Sequence, residues 1–190
     1  MFDEIVRMER DDPRLLIEFV KRHLDDWSPY FVYVESDVVV EVTEPCWLKQ
    51  WVDLMDANPQ LAMLGSAINT SDFIDLDQAK ALHPDEDEVT LRQRIKAMSS
   101  ERTQNVETAR DEALFRPHNP AGRFMMLRTS PLREVGAAED HTLHSRLRAA
   151  GYDTAIATRV RHRHLSLLHL YDYPDYDLER RNAYFHKLNE

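Results

Sequence analysis

Apolar residues recur at helical spacing between Pro13 and Trp27, where Leu15, Leu16, Phe19, Val20 and Leu24 share a face and Asp11 and Asp12 stand ahead as N-terminal caps. A helix is expected there. Tyr30-Phe31-Val32-Tyr33-Val34 is aromatic and β-branched with no polar alternation, which predicts a strand buried on both faces of a layered α/β sheet. It ends at Glu35-Ser36-Asp37, polar residues at the edge where open α/β sheets bind ligands. A short strand at Val38 to Val42 follows. Pro45 then opens a helix running to about Ala57, because proline suits a first turn, and Asn58-Pro59 stops it. Leu61 to Ile68 is the next apolar strand.

The pattern fades from Asn69 to Pro120, a polar insertion of about 69–120 with an exposed helix expected from about Thr90 to Glu112 and no core pattern. Long, weakly patterned segments within a compact domain are more often functional loops or lids than packing. Order returns with a strand at Arg123 to Arg128 and a helical turn from Ser130-Pro131 to Gly136. Glu139 to Ala150 is the best-specified helix, with Leu143, Leu147 and Ala150 on one face and Gly151 as its stop. Tyr152 to Thr158 forms a short strand. Beyond it, His162 and His164 alternate with Arg159, Arg161 and Arg163, so an extended chain places histidines and arginines on opposite faces. The expected organisation is one domain over 1–190, with a core of about 13–169 and a tail of 170–190.

At 190 residues, 43% hydrophobic and 31% charged, the chain suits one folded domain. No apolar run is long enough for a membrane span and no signal-peptide pattern opens the chain, so a cytoplasmic location is expected. The single cysteine, Cys46, excludes an internal disulfide framework and zinc sites built on several thiolates. A net charge of −10 argues against nucleic acid as a partner, which requires clustered Lys and Arg. The charge is unevenly spread: 21 acidic and 9 basic residues lie up to Ile95, against 13 acidic and 15 basic from Lys96 on. That asymmetry fits either a solvated acidic face or a carboxylate-rich metal side opposite an Arg- and His-rich side suited to phosphates.

Three features carry candidate chemistry: Glu35-Ser36-Asp37 at a strand end, Glu139-Asp140 at a helix start, and His162 with His164 after a strand. In this order they resemble the family 2 glycosyltransferases. The likeness includes the DxD-type motif after a buried strand and the helix from Pro45-Cys46-Trp47-Leu48 to Asn58-Pro59. Its most specific part is EDHTLHSRLRAAGY, which matches a Glu-Asp signature helix of the form ED-x-x-L-x-x-R-L-x-x-x-G-Y. The resemblance implies an α/β fold of the GT-A type, with a mixed, mainly parallel sheet flanked by helices. Only 34 residues precede Glu35, so the fold is expected to be N-terminally incomplete: a fragment, one piece of a split protein whose partner chain supplies the missing half, or an inactive remnant, with a homo-oligomer as the other assembly open to it.

The resemblance further implies sugar transfer from a nucleotide-diphosphate donor, UDP- or GDP-linked, to a glycan or other hydroxyl acceptor with inversion. Mn²⁺ or Mg²⁺ would offset the charge growing on the departing diphosphate. Hard cations prefer carboxylate oxygens; Asp37 is the expected direct ligand, with Glu35 on the ribose or a metal-bound water. Asp140 is the expected general base and Glu139 orients the acceptor. His162 or His164 offers an imidazole ligand, His162 being preferred, and Arg161 and Arg163 face phosphates. Two other classes use the same residues: a non-catalytic glycosyltransferase-like module, and a metal-dependent hydrolase built on His162-Arg163-His164 with carboxylates.

Overall fold

The computed structural model describes residues 13–25, 28–35, 38–68, 76–98, 112–116 and 123–164. Along the chain these form α1 (Pro13–His23), β1 (Tyr30–Val34), β2 (Val38–Val40), α2 (Trp47–Ala57), β3 (Leu61–Ile68), α3 (Leu76–Leu82), α4 (Glu88–Met98), β4 (Leu114–Phe115), β5 (Phe124–Arg128), α5 (Thr129–Val135), α6 (Asp140–Ala149) and β6 (Asp153–His164). The strands make one mixed sheet in the order β1-β5-β3-β6-β2, with β4 also on β6. Helices cover it. Among the described residues no helix is long and apolar enough to cross a membrane.

The expectation of a mainly parallel sheet is corrected. Among the described residues only β3 and β6 pair in parallel; β1 with β5, β3 with β5, β2 with β6 and β4 with β6 are all antiparallel. Continuous apolar strands report burial on both faces, and that says nothing about direction. Here β5 runs antiparallel between β1 and β3, so β1, β3 and β6 still point the same way and their C-terminal ends share one side of the sheet.

Strand β5 shows how the two faces are built. Phe124 and Met126 pack with Trp51 and Met55 of α2 and with Leu61 and Leu64 of β3. Met125 and Leu127 turn the other way, toward Leu132 of α5 and Leu143 and Leu147 of α6, with Ile17 and Val20 of α1 against the same cluster. Period-two alternation between two covered faces is what makes the strand read as uniformly apolar.

Local chemistry sets the element ends. Gly151 adopts φ 87° after the last turn of α6, its N–H bonding Arg148 O at 3.1 Å while Tyr152 N–H bonds Leu147 O at 3.0 Å. This is a Schellman stop, for which glycine is favoured because a Cβ resists positive φ. Asp87 caps α4, accepting from Thr90 N–H at 3.0 Å and from its hydroxyl at 2.6 Å, and those bonds hold its carboxyl below the usual range. At the C-terminal end of α2, Arg128 donates to Met55 O at 2.7 Å, Leu61 O at 3.1 Å and the Tyr30 hydroxyl at 3.1 Å, and lies 5.0 Å above the Tyr30 ring. One side chain thereby joins β1, α2, β3 and β5.

Other departures from expectation are local. Pro45 precedes α2 and stands outside its first turn. Ala150 is exposed, and His144 takes the buried position instead, its Nδ1 2.9 Å from Thr154 Oγ1. The strand expected to stop at Thr158 continues to His164 because β2 pairs with its second half. The polar insertion holds α3, which periodicity did not suggest, and α4 from Glu88. These two helices pack together with Ala79 and Leu91 fully buried, a core too small to register as a pattern in a charged stretch. The rest of the helix expected to Glu112 lies outside the described residues, apart from Glu112 itself, which is not helical.

Candidate functional site

The C-terminal end of β1 and the N-terminal end of β5 meet in register, Val34 opposite Phe124. The next pair outward is Glu35 and Arg123, joined by a backbone bond from Glu35 N–H to Arg123 O at 2.9 Å. Strand alternation puts Glu35 on the same face as Tyr33 and Phe31, the face covered by α1, α5 and α6. Above that face α6 begins. Glu139 takes its N-cap position and Asp140 its first turn, with Leu143 N–H closing on Glu139 O at 2.8 Å. Glu139 Oε1 accepts from the Thr142 hydroxyl at 3.2 Å, and Asp140 Oδ1 accepts from His141 N–H at 2.6 Å.

Between these elements lies a cavity of about 380 Å³. Its polar residues are Glu35, Arg123, Glu139 and Asp140; its apolar walls come from α1, β1, β5, α5 and α6 and include Ile17, Tyr33, Met125 and Leu143. The fold thus brings together residues of two of the three features singled out in the sequence, Glu35 and the Glu139-Asp140 pair, roughly a hundred positions apart. Three carboxylates and a guanidinium on an apolar pocket can bind a polar head, hold a hydroxyl and accept its proton.

Asp37 lies outside the described residues, as do the side chains of Arg163 and His164; the backbones of Arg163 and His164 pair with Val39 and Val38 of β2. Arg161 is half-buried beside β3, its carbonyl accepting from Glu41 N–H at 3.0 Å, and it is not part of the cavity wall. His162 is placed elsewhere again. It is 1% exposed, its Nδ1 is 2.7 Å from Ser66 Oγ, and its ring stands edge-on to Phe124 on the α2 face of the sheet. Ser66 has one proton and donates it to Phe124 O at 3.1 Å, so the pair is satisfied when His162 Nδ1 carries a hydrogen. His162 and the Asp140 carboxylate thus lie on opposite faces of the sheet, because a histidine at this register position of β6 points toward α2.

Among the described residues no group of three or more His, Cys, Asp or Glu side chains is arranged to hold a metal ion. The oxygens of Glu35, Glu139 and Asp140 have the donor chemistry of a hard cation site without forming such a group.

Sequence reasoning passed over Arg123, Tyr33 and Met125 as site residues. Arg123 reads as an ordinary strand start, and only the β1/β5 register puts it opposite Glu35. No known family model matches the chain, and no curated protein shows significant similarity to it.

Proposed function

We propose that the cavity is the acceptor side of a sugar-transfer site, in which the chain moves a sugar from a nucleotide-diphosphate donor to a hydroxyl with inversion. The observation that carries the reading is that Glu35 and Asp140 line one cavity, as the resemblance to family 2 glycosyltransferases of the GT-A type requires of the strand-end acid and the Glu-Asp helix. Asp140 takes the proton of the acceptor hydroxyl. The acceptor oxygen bonds to the anomeric carbon, the bond from that carbon to the diphosphate oxygen breaks, and its electron pair leaves with the nucleoside diphosphate. Glu139, at the N-cap, orients the acceptor. Arg123 supplies positive charge near the strand end, where the donor's phosphates are expected. A divalent cation, Mn²⁺ or Mg²⁺, would draw on Asp37 and offset phosphate charge, with Glu35 on the ribose or a metal-bound water. The hydrolase alternative would use His162-Arg163-His164 with carboxylates, and His162 does not line the cavity that holds Glu35, Glu139 and Asp140.

The test combines turnover with binding. UDP- and GDP-linked sugars are incubated with Mn²⁺ and hydroxyl acceptors, and release of UDP or GDP is followed. Asp140→Asn is expected to lower turnover about 10²- to 10⁴-fold, the range of general-base catalysis, with melting unchanged. UDP or GDP with Mn²⁺ at about 100 times its Kd should add about 2.7 kcal/mol, a rise of about 5–10 °C at this chain length. No release from any donor, together with no thermal shift, refutes the proposal and leaves a non-catalytic module.

A further inference from the structure

The cavity is polar at one end only. Glu35 and Arg123 lie at the open end of β1 and β5, next to Glu139 and Asp140. Going inward, the register steps are Tyr33 opposite Met125 and then Phe31 opposite Leu127, and all four of these residues line the cavity. From Glu35 to Phe31 is four residues, about 13 Å of extended strand. Over that length the wall changes from three carboxylates and a guanidinium to aromatic and aliphatic side chains, among which Tyr33 carries the one hydroxyl. The far wall is equally apolar: Ile17 and Val20 of α1, Leu132 of α5 and Leu143 of α6. A sugar or polyol filling this space would bury several hydroxyls against walls whose one hydroxyl-bearing side chain is Tyr33, leaving most of them without a partner and weakening its binding. An apolar body would instead gain for each methylene removed from water.

We infer that the cavity takes an amphipathic alcohol: a hydroxyl held at Asp140 and Glu139, and an apolar alkyl or aryl body lying along Tyr33, Met125 and Phe31 beneath α1. The inference rests on the sugar-transfer reading for the role of that hydroxyl and deepens it by naming the acceptor class. The preference for an apolar body follows from the walls alone.

Met125 provides a reporter inside the cavity and Met55, fully buried against α2, a control on the other face. Methyl spectra of protein labelled at methionine are recorded during titration with 1-butanol, 1-pentanol and 1-hexanol, and with 1,2,6-hexanetriol as a polar molecule of equal chain length. The alkanols are expected to shift the Met125 signal and leave Met55 in place, with affinity rising up to about four-fold per added methylene. The triol is expected to shift neither. Ala138→Phe, which fills the cavity from the α5–α6 connection, should remove the hexanol response while the Met55 signal certifies the fold. Should that variant fail to fold, Ile17→Gln on α1 should weaken hexanol binding several-fold. Equal response to hexanol and the triol, or none to either, overturns the inference. Nucleotide-sugar turnover is scored separately. Turnover onto glycerol with no Met125 response to hexanol overturns the apolar acceptor and leaves sugar transfer standing. A Met125 response with neither consumption of any donor nor a thermal shift from UDP or GDP with Mn²⁺ supports the apolar ligand and removes sugar transfer.

Discussion

Arg128→Met keeps an aliphatic stem on β5 and deletes every donor of the guanidinium. Three contacts are lost at hydrogen-bonding distance: Met55 O at 2.7 Å, Leu61 O at 3.1 Å and the Tyr30 hydroxyl at 3.1 Å; a fourth, Asn58 O at 3.4 Å, is too long to weigh equally. Arg128 is half-buried, so water replaces part of what is lost, and each bond is taken at about 1 kcal/mol, below the range for charged donors. The contact over the Tyr30 ring, at 5.0 Å, adds about 0.5–1 kcal/mol. The expected loss is about 3–4 kcal/mol, or about 6–15 °C in melting temperature at this chain length. Urea denaturation followed by circular dichroism measures it. Arg128→Lys keeps the charge but not the fork, so it should recover no more than about half. A loss below about 1 kcal/mol for the methionine variant, or a lysine variant equal to wild type, refutes the idea that this fork ties α2 to the sheet. Tyr30 gives an independent readout. Desolvation first, then its bond to Asp56, raises its pKa above 10.0, while Arg128 opposes the rise. A raised folded-state pKa gives stability that is complete below pH 10 and lost as pH rises through the folded value. The phenol titration, taken as the difference from Tyr30→Phe, should move further up in Arg128→Met.

Three further outcomes follow from the same coordinates. His162→Phe retains the ring volume but deletes the bond to Ser66, and should cost about 1–2 kcal/mol while leaving Mn²⁺-dependent stabilisation intact; unchanged stability with ten-fold weaker Mn²⁺ binding would restore the ligand role. Gly151→Ala meets nothing within 4 Å, so its cost is backbone strain at φ 87° alone, about 1 kcal/mol by denaturation; a neutral result would remove the Schellman argument. Tyr152 donates to Glu134 Oε2 at 2.6 Å, and that bond, ahead of desolvation, raises its pKa. Glu134→Gln should return the Tyr152 phenol titration toward 10.0, and no movement would show that the bond does not form in solution.

Several elements were legible from residue order alone, because their signals are local. Tyr30–Val34 and Leu61–Ile68 begin and end where apolar runs meet Pro, Asn or acidic residues, and α6 ends where Gly151 permits positive φ. The Glu139-Asp140 pair was recognisable for the same reason, since a helix start is written within a few residues. Strand direction was not legible: β5 is as apolar as a central parallel strand, yet it runs opposite to both its neighbours, and only the long-range pairing decides that. The fate of the histidines depended on the same thing. Alternation put His162 and His164 on one face, but which face meets α2 and which meets the cavity depends on the pairing of β6 with β2 and β3. Arg123 joined the site through one cross-strand contact that no local pattern encodes. Sequence thus determined the strongly patterned helices and strands and which acids end them, because those choices are made by neighbours along the chain, while α3 and the second half of β6 were not written there. Tertiary structure alone decided which acids share a cavity, because register and layer packing bring together residues that carry no record of each other.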